Sequence, residues 1–129
     1  MTRSLPYALL IVLCLSTYIS CTENEYDILL GRIEKINSPD TVYVNQTFEI
    51  STTFSGGSNG CAIPSHLEFD NADENLLVAA YYKIPRTESA CTMAIPIHSI
   101  TSEHSFSTAG FKTIRDIQGN VSKEIFVIE

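Results

Sequence analysis

Apolar residues enter this chain first as one block and then at every second position. Leu5 to Ile19 are almost wholly apolar. From Arg32 onward apolar and polar positions alternate, turn residues recur at short intervals, and no long helical stretch occurs, which predicts strands. In Thr47–Phe54 the alternation puts Phe48, Ile50 and Phe54 on one face and Glu49, Ser51 and Thr53 on the other. Val42-Tyr43-Val44 is a shorter β-prone run behind the turn formers Ser38-Pro39-Asp40. Ser55 to Gly60 is a loop leading into Cys61. Met93, Ile95 and Ile97 alternate again behind Cys91, and Pro96 restricts that strand to an edge or a bulge.

One segment supports two assignments. Residues 71–75 followed by Leu76 to Tyr82 fit a capped helix ended by Pro85. Leu76, Val78, Ala80, Tyr82 and Ile84 also form one apolar face at period two, and this favours a strand. The final residues are sharper. Gly110 to Arg115 predicts a strand, Asp116 to Asn120 a tight turn, and Val121 to Ile128 the returning strand. Gly119 and Asn120 both tolerate the positive φ that hairpin loops demand.

The pattern G-F-x-x-I-x-D-x-x-G-N-x-S followed by I-F-V-I resembles the last two strands of bacterial immunoglobulin-like domains. The resemblance extends more loosely upstream through Ile33, Ile36, Pro39, Val42, Val44, Phe48 and Ile50, and Leu76 to Phe106 is similar to small bacterial lipoproteins of this class. It implies an all-β fold, an immunoglobulin-like antiparallel β-sandwich of about seven strands, over residues 32–129. The chain has no Trp, and Cys61 and Cys91 do not fall on the strands that carry the antibody inter-sheet disulfide. The resemblance therefore implies the sandwich and not antibody-type recognition.

The opening block reads as a secretory signal. Arg3 supplies the positive start, and the apolar run of about 15 residues falls short of the roughly 20 that a membrane-spanning helix needs. It ends at Ser20-Cys21, the layout of a lipoprotein signal (residues 1–20) whose cleavage leaves Cys21 to be acylated, with Tyr18 where an aliphatic residue is usual. A soluble secreted chain cut after Ser16 and a retained anchor are the alternatives. Cysteine parity favours the lipoprotein. Of four cysteines, Cys14 leaves with the signal and Cys21 takes lipid, so Cys61 and Cys91 remain as a disulfide pair in an oxidising compartment. Residues 21–31 would then be the lipidated cysteine and an acidic tether. Thr22 to Asp27 resembles the export signal that some Gram-negative bacteria place behind a lipidated cysteine. The expected location is the bacterial cell envelope, lipid-anchored in the outer membrane and surface-exposed.

Charge narrows the partners. Without the signal the chain keeps seven of its eight basic residues and all fifteen acidic ones, a formal charge of −8. Such a surface disfavours nucleic acid and anionic headgroups, so membrane attachment falls to the lipid on Cys21. Asp70, Asp73 and Glu74 concentrate oxygen donors but lack the glycine and distal Glu of a calcium loop. His66, His98 and His104 are not spaced as zinc ligands. Nucleophilic catalysis needs a serine with a positioned base and an oxyanion site, and the sequence pattern marks no such set. No metal, cofactor or catalytic residue is expected. The function expected is a non-enzymatic binding or accessory module for an envelope protein or glycan, using the Ser55–Gly60 and 83–90 loops; the alternative is an inhibitor or immunity-type lipoprotein blocking a hydrolase or toxin.

Overall fold

The computed structural model describes residues 25–72, 74–87 and 90–129. The expected signal, Cys21, Asp73 and Glu88 lie outside that set. The described residues form nine strands and no helix: β1 (Tyr26–Leu30), β2 (Arg32–Asn37), β3 (Thr41–Tyr43), β4 (Phe48–Ser55), β5 (Ile63–Ala72), β6 (Asn75–Pro85), β7 (Ile97–His104), β8 (Gly110–Asp116) and β9 (Ser122–Ile128). They build two sheets, one in the order β1-β6-β8-β9-β3 with β5 on β6, the other β2-β4-β7.

Strand β6 organises the larger sheet because it is long enough for three neighbours. β5 pairs antiparallel along one edge. On the other edge β1 pairs with Tyr81–Pro85 and β8 with Asn75–Val78. The chain then changes sheets at Gly31, whose N–H donates to the Ala80 carbonyl at 2.8 Å. A Cβ there would lie 2.5 Å from the Phe54 ring, so only glycine allows the crossing at this depth. Both sheets contribute to one apolar interior. Ile33 and Ile36 of β2 and Phe48, Ile50 and Phe54 of β4 meet Leu76, Val78 and Ala80 of β6, Ile114 of β8, and Ile125 and Val127 of β9. Burying each of these larger side chains contributes about 1.5–3 kcal/mol.

The ambiguous segment is a strand: Leu76, Val78, Ala80 and Tyr82 all point into the core. The final hairpin also forms, with β8 and β9 in register from Gly110–Val127 to Arg115–Ser122. Four expectations are corrected. The strands number nine, against about seven expected, because the opening run divides between the sheets at Gly31 and β3 forms a short strand of its own. The sheets are not wholly antiparallel, since β3–β9 and β6–β8 are parallel ladders; the β6-to-β8 connection crosses the other sheet through β7, as a parallel pair requires. The tether does not reach residue 31, because Tyr26–Leu30 occupies the edge of β6 that β8 leaves unpaired. Lastly, Met93 and Ile95 precede the strand that starts at Ile97.

Candidate functional site

At the end of the molecule where β6 and β8 begin, three chain segments meet around one buried amine. β8 alternates inward as Lys112, Ile114 and Asp116, all at most 5% exposed. Ile114 and Asp116 sit deep, but Lys112 lies near the start of the strand, where the interior opens. Its Nζ donates to Glu74 Oε2 at 2.8 Å. Glu74 is fixed in turn by the β5–β6 turn, its carbonyl accepting the Thr113 N–H at 3.1 Å.

A pocket of about 330 Å³ opens beside this pair, lined by Asn71, Asn75, Ser105, Phe106, Ser107, Thr108 and Lys112. Phe106 is buried against Phe48, with ring centroids 5.6 Å apart, and closes the pocket on the core side. Its carbonyl accepts the Asn45 N–H at 2.7 Å, which holds the β7–β8 connection in place. Ser107 and Thr108 also border a second depression of about 400 Å³ with Val44, Ala109 and Glu129. An ammonium ion taken out of water is costly unless paired. Here the pair is uneven: the lysine side chain is 5% exposed and the glutamate 72%. The arrangement can hold a small polar molecule by one charge and a ring of amides and hydroxyls.

The opposite end carries the features anticipated from sequence. Cys61 is disulfide-bonded to Cys91, with Cα atoms 5.3 Å apart. The bond joins the β4–β5 loop to the β6–β7 loop, and the Gly60 N–H donates to the Thr92 carbonyl at 2.8 Å. Gly56 packs against the Tyr82 ring and Gly60 against the Thr92 hydroxyl, so both positions exclude a Cβ. Lys83, Ile84 and Pro85 belong to β6 rather than to a loop. Tyr82 faces the core, whereas Tyr81 faces out and stacks on His66 at 4.9 Å. The Glu68 carboxylate, accepting from the Tyr81 hydroxyl, holds that hydroxyl above its ordinary pKa. The loop beyond Cys91 exposes apolar side chains: Met93 is 93% exposed, Ile95 65% and Ile97 68%.

The remaining candidates separate. His98 packs against Phe54, and His104 contacts Phe48, Phe69 and Phe106. Burial pushes both imidazoles below their ordinary value of 6.5, with a hydrogen bond to the Gly56 backbone opposing the shift at His98. Glu74 turns to Lys112, and Asp70 points out from β5. Among the described residues no three of His, Cys, Asp and Glu converge as metal ligands. Asp116 shapes the hairpin turn, its carboxylate accepting the Gln118 N–H at 3.1 Å and the Asn120 side-chain amide at 3.3 Å. The Lys112 pocket was not anticipated. One available signal was strand parity: once Ile114 faces the core, Lys112 must share its face. No protein-family model, curated protein or solved structure matches the chain.

Proposed function

We propose that the protein is a lipid-anchored, extracytoplasmic, non-enzymatic binding module of the bacterial envelope. Cys21 carries the lipid, the two sheets form an immunoglobulin-like sandwich, and the Lys112 pocket receives the ligand. The observation that carries this reading is the placement of the pocket relative to the N-terminus. Tyr26 pairs with Pro85 at one end of β6, and Arg86 N–H donates to the Glu25 carbonyl. The pocket lies at the other end, where Asn75 pairs with Thr113. The 11 residues of β6 separate them by about 35 Å at about 3.3 Å per residue. Five residues from Cys21 to Tyr26 reach at most about 17 Å. An acylated Cys21 thus keeps the disulfide end at the bilayer and turns the pocket toward solvent and ligands.

Support for the sandwich comes from the β8–β9 hairpin, with its Asp116 turn, and from the common core of the two sheets. The parallel β6–β8 ladder is its departure from the immunoglobulin pattern. The intact mass of the native protein from its own membrane fraction, before and after reduction, tests the anchor. A mass beginning at Cys21 plus acyl chains, gaining two hydrogens on reduction, is expected. A lipid-free mass with another start overturns the anchor.

A second reading, an inhibitor or immunity-type lipoprotein, rests on the disulfide-held loop that exposes Met93 and Ile95. A rigid loop with apolar side chains suits insertion into an enzyme cleft. Under that reading, Met93→Ser with Ile95→Ser abolishes protection against the target hydrolase, while pocket substitutions leave protection intact.

A further inference from the structure

Among the sites of this molecule, the Lys112 pocket alone combines a buried charge, a cavity and convergent polar groups on described residues. We infer that it binds a small hydroxylated carboxylate, a sugar acid or hydroxy acid, and that Glu74 is the resident carboxylate which the ligand displaces. The inference rests on the reading of the protein as a binding module.

The two partners of the ion pair differ in burial. Lys112 is 5% exposed, and its backbone is held in β8 by pairing with Ile125 of β9 and by the β6 ladder that starts at the next residue, Thr113. Glu74 is 72% exposed, sits on the β5–β6 turn, and holds the ammonium by one 2.8 Å contact. Swinging Glu74 into water costs little desolvation, because most of it is already hydrated. The vacated amine then needs an anion, since an unpaired buried ammonium is strongly disfavoured. A ligand carboxylate restores the charge-assisted hydrogen bond that Glu74 gave up. The exchange leaves the pocket neutral while the freed Glu74 returns to solvent.

Other linings select the rest of the ligand. Asn71 and Asn75 offer both donors and acceptors, and Ser105, Ser107 and Thr108 offer hydroxyls, a set that matches ligand hydroxyls. Phe106 supplies one apolar wall. The volume of about 330 Å³ lies at the small end of the range for ligand sites, which suits a single sugar unit and not a chain. A phosphate dianion fits poorly. Among the described residues Lys112 is the one cationic side chain lining the pocket and no arginine provides a two-pronged contact, and the whole chain carries a formal charge of −7.

Isothermal titration of the full chain in detergent, with D-glucuronate, L-lactate and D-glucose, tests this. Glucuronate or lactate should bind while glucose does not. Lys112→Met should weaken carboxylate binding beyond detection. Glu74→Gln should strengthen it by about tenfold or more, because the internal competitor has lost its charge. Glu74 is exposed on a turn, so that variant folds even if the lysine substitution does not, and the gain alone decides. Glucose binding as well as glucuronate does, indifferent to Lys112→Met, overturns the carboxylate assignment and leaves the binding module standing. Weaker carboxylate binding in Glu74→Gln, or no binding of any probe to either form, overturns the inference. The anchor is read separately from the intact mass.

Discussion

His104 sits against three phenylalanine rings, Phe48, Phe69 and Phe106, and its Nε2 is buried without a partner. Such a site tolerates the neutral imidazole and resists the imidazolium, so burial holds its pKa below the ordinary 6.5. His98 follows the same logic beside Phe54, its Nε2 likewise buried without a partner. The unfolded chain binds a proton near 6.5 and the folded chain only at lower pH, so stability is full above about 6.5 and falls as pH drops through that value. Urea unfolding measured from pH 8 to pH 5 should show this decline. His104→Leu should make the decline shallower, since the leucine keeps the apolar contacts and removes the titration. An unchanged slope would mean that the imidazole is protonated equally well in both states. Lys112 is the contrasting residue, a charge that folding accepts because Glu74 meets it.

Strand periodicity made most of the elements legible, and the β8–β9 hairpin shows why. Its turn depends on local chemistry: Asp116 is 1% exposed, and its carboxylate accepts from the Gln118 backbone and the Asn120 side chain, while Gly119 adopts φ +76°. Asp116→Ala leaves those donors without their acceptor and should cost about 1–3 kcal/mol. The urea midpoint should fall with the slope unchanged. What was not legible depended on partners distant in sequence. Tyr26–Leu30 reads as an extension of the tether, and only the unpaired upper edge of β6 makes it a strand. Met93 to Ile97 alternates as a strand does, yet Met93 and Ile95 stay in the loop that follows Cys91. Phe111 belongs to the expected Gly110–Arg115 strand, whose inward face the sequence alone does not assign. The inward parity of Ile114 turns Phe111 out, 74% exposed, to lie tilted against Phe126 with ring centroids 4.7 Å apart. The pocket draws on β5, β6, the β7–β8 connection and β8, so no local pattern marked it.

For the whole molecule, the disulfide and the Lys112 pocket lie at opposite ends of one sandwich-like body. The Cys61–Cys91 bond spans a sequence separation of 30, and closing such a loop contributes about 3–4 kcal/mol. In a domain whose total stability is about 5–15 kcal/mol, that is a large share. The bond restrains the loops around Gly56, Gly60 and Thr92, whereas the pocket is framed by the β5–β6 turn and by Phe106 on the core. The intervening material is strand pairing along β6, and coupling between the ends would require a second arrangement of that pairing. Replacing both cysteines with serine should therefore lower the unfolding free energy by about 3–4 kcal/mol. The affinity of the pocket, measured well below the lowered melting temperature, should stay the same. A parallel loss of affinity in that folded double variant would show that the two ends are mechanically joined, and the pocket would then have to be described as part of the disulfide-held frame.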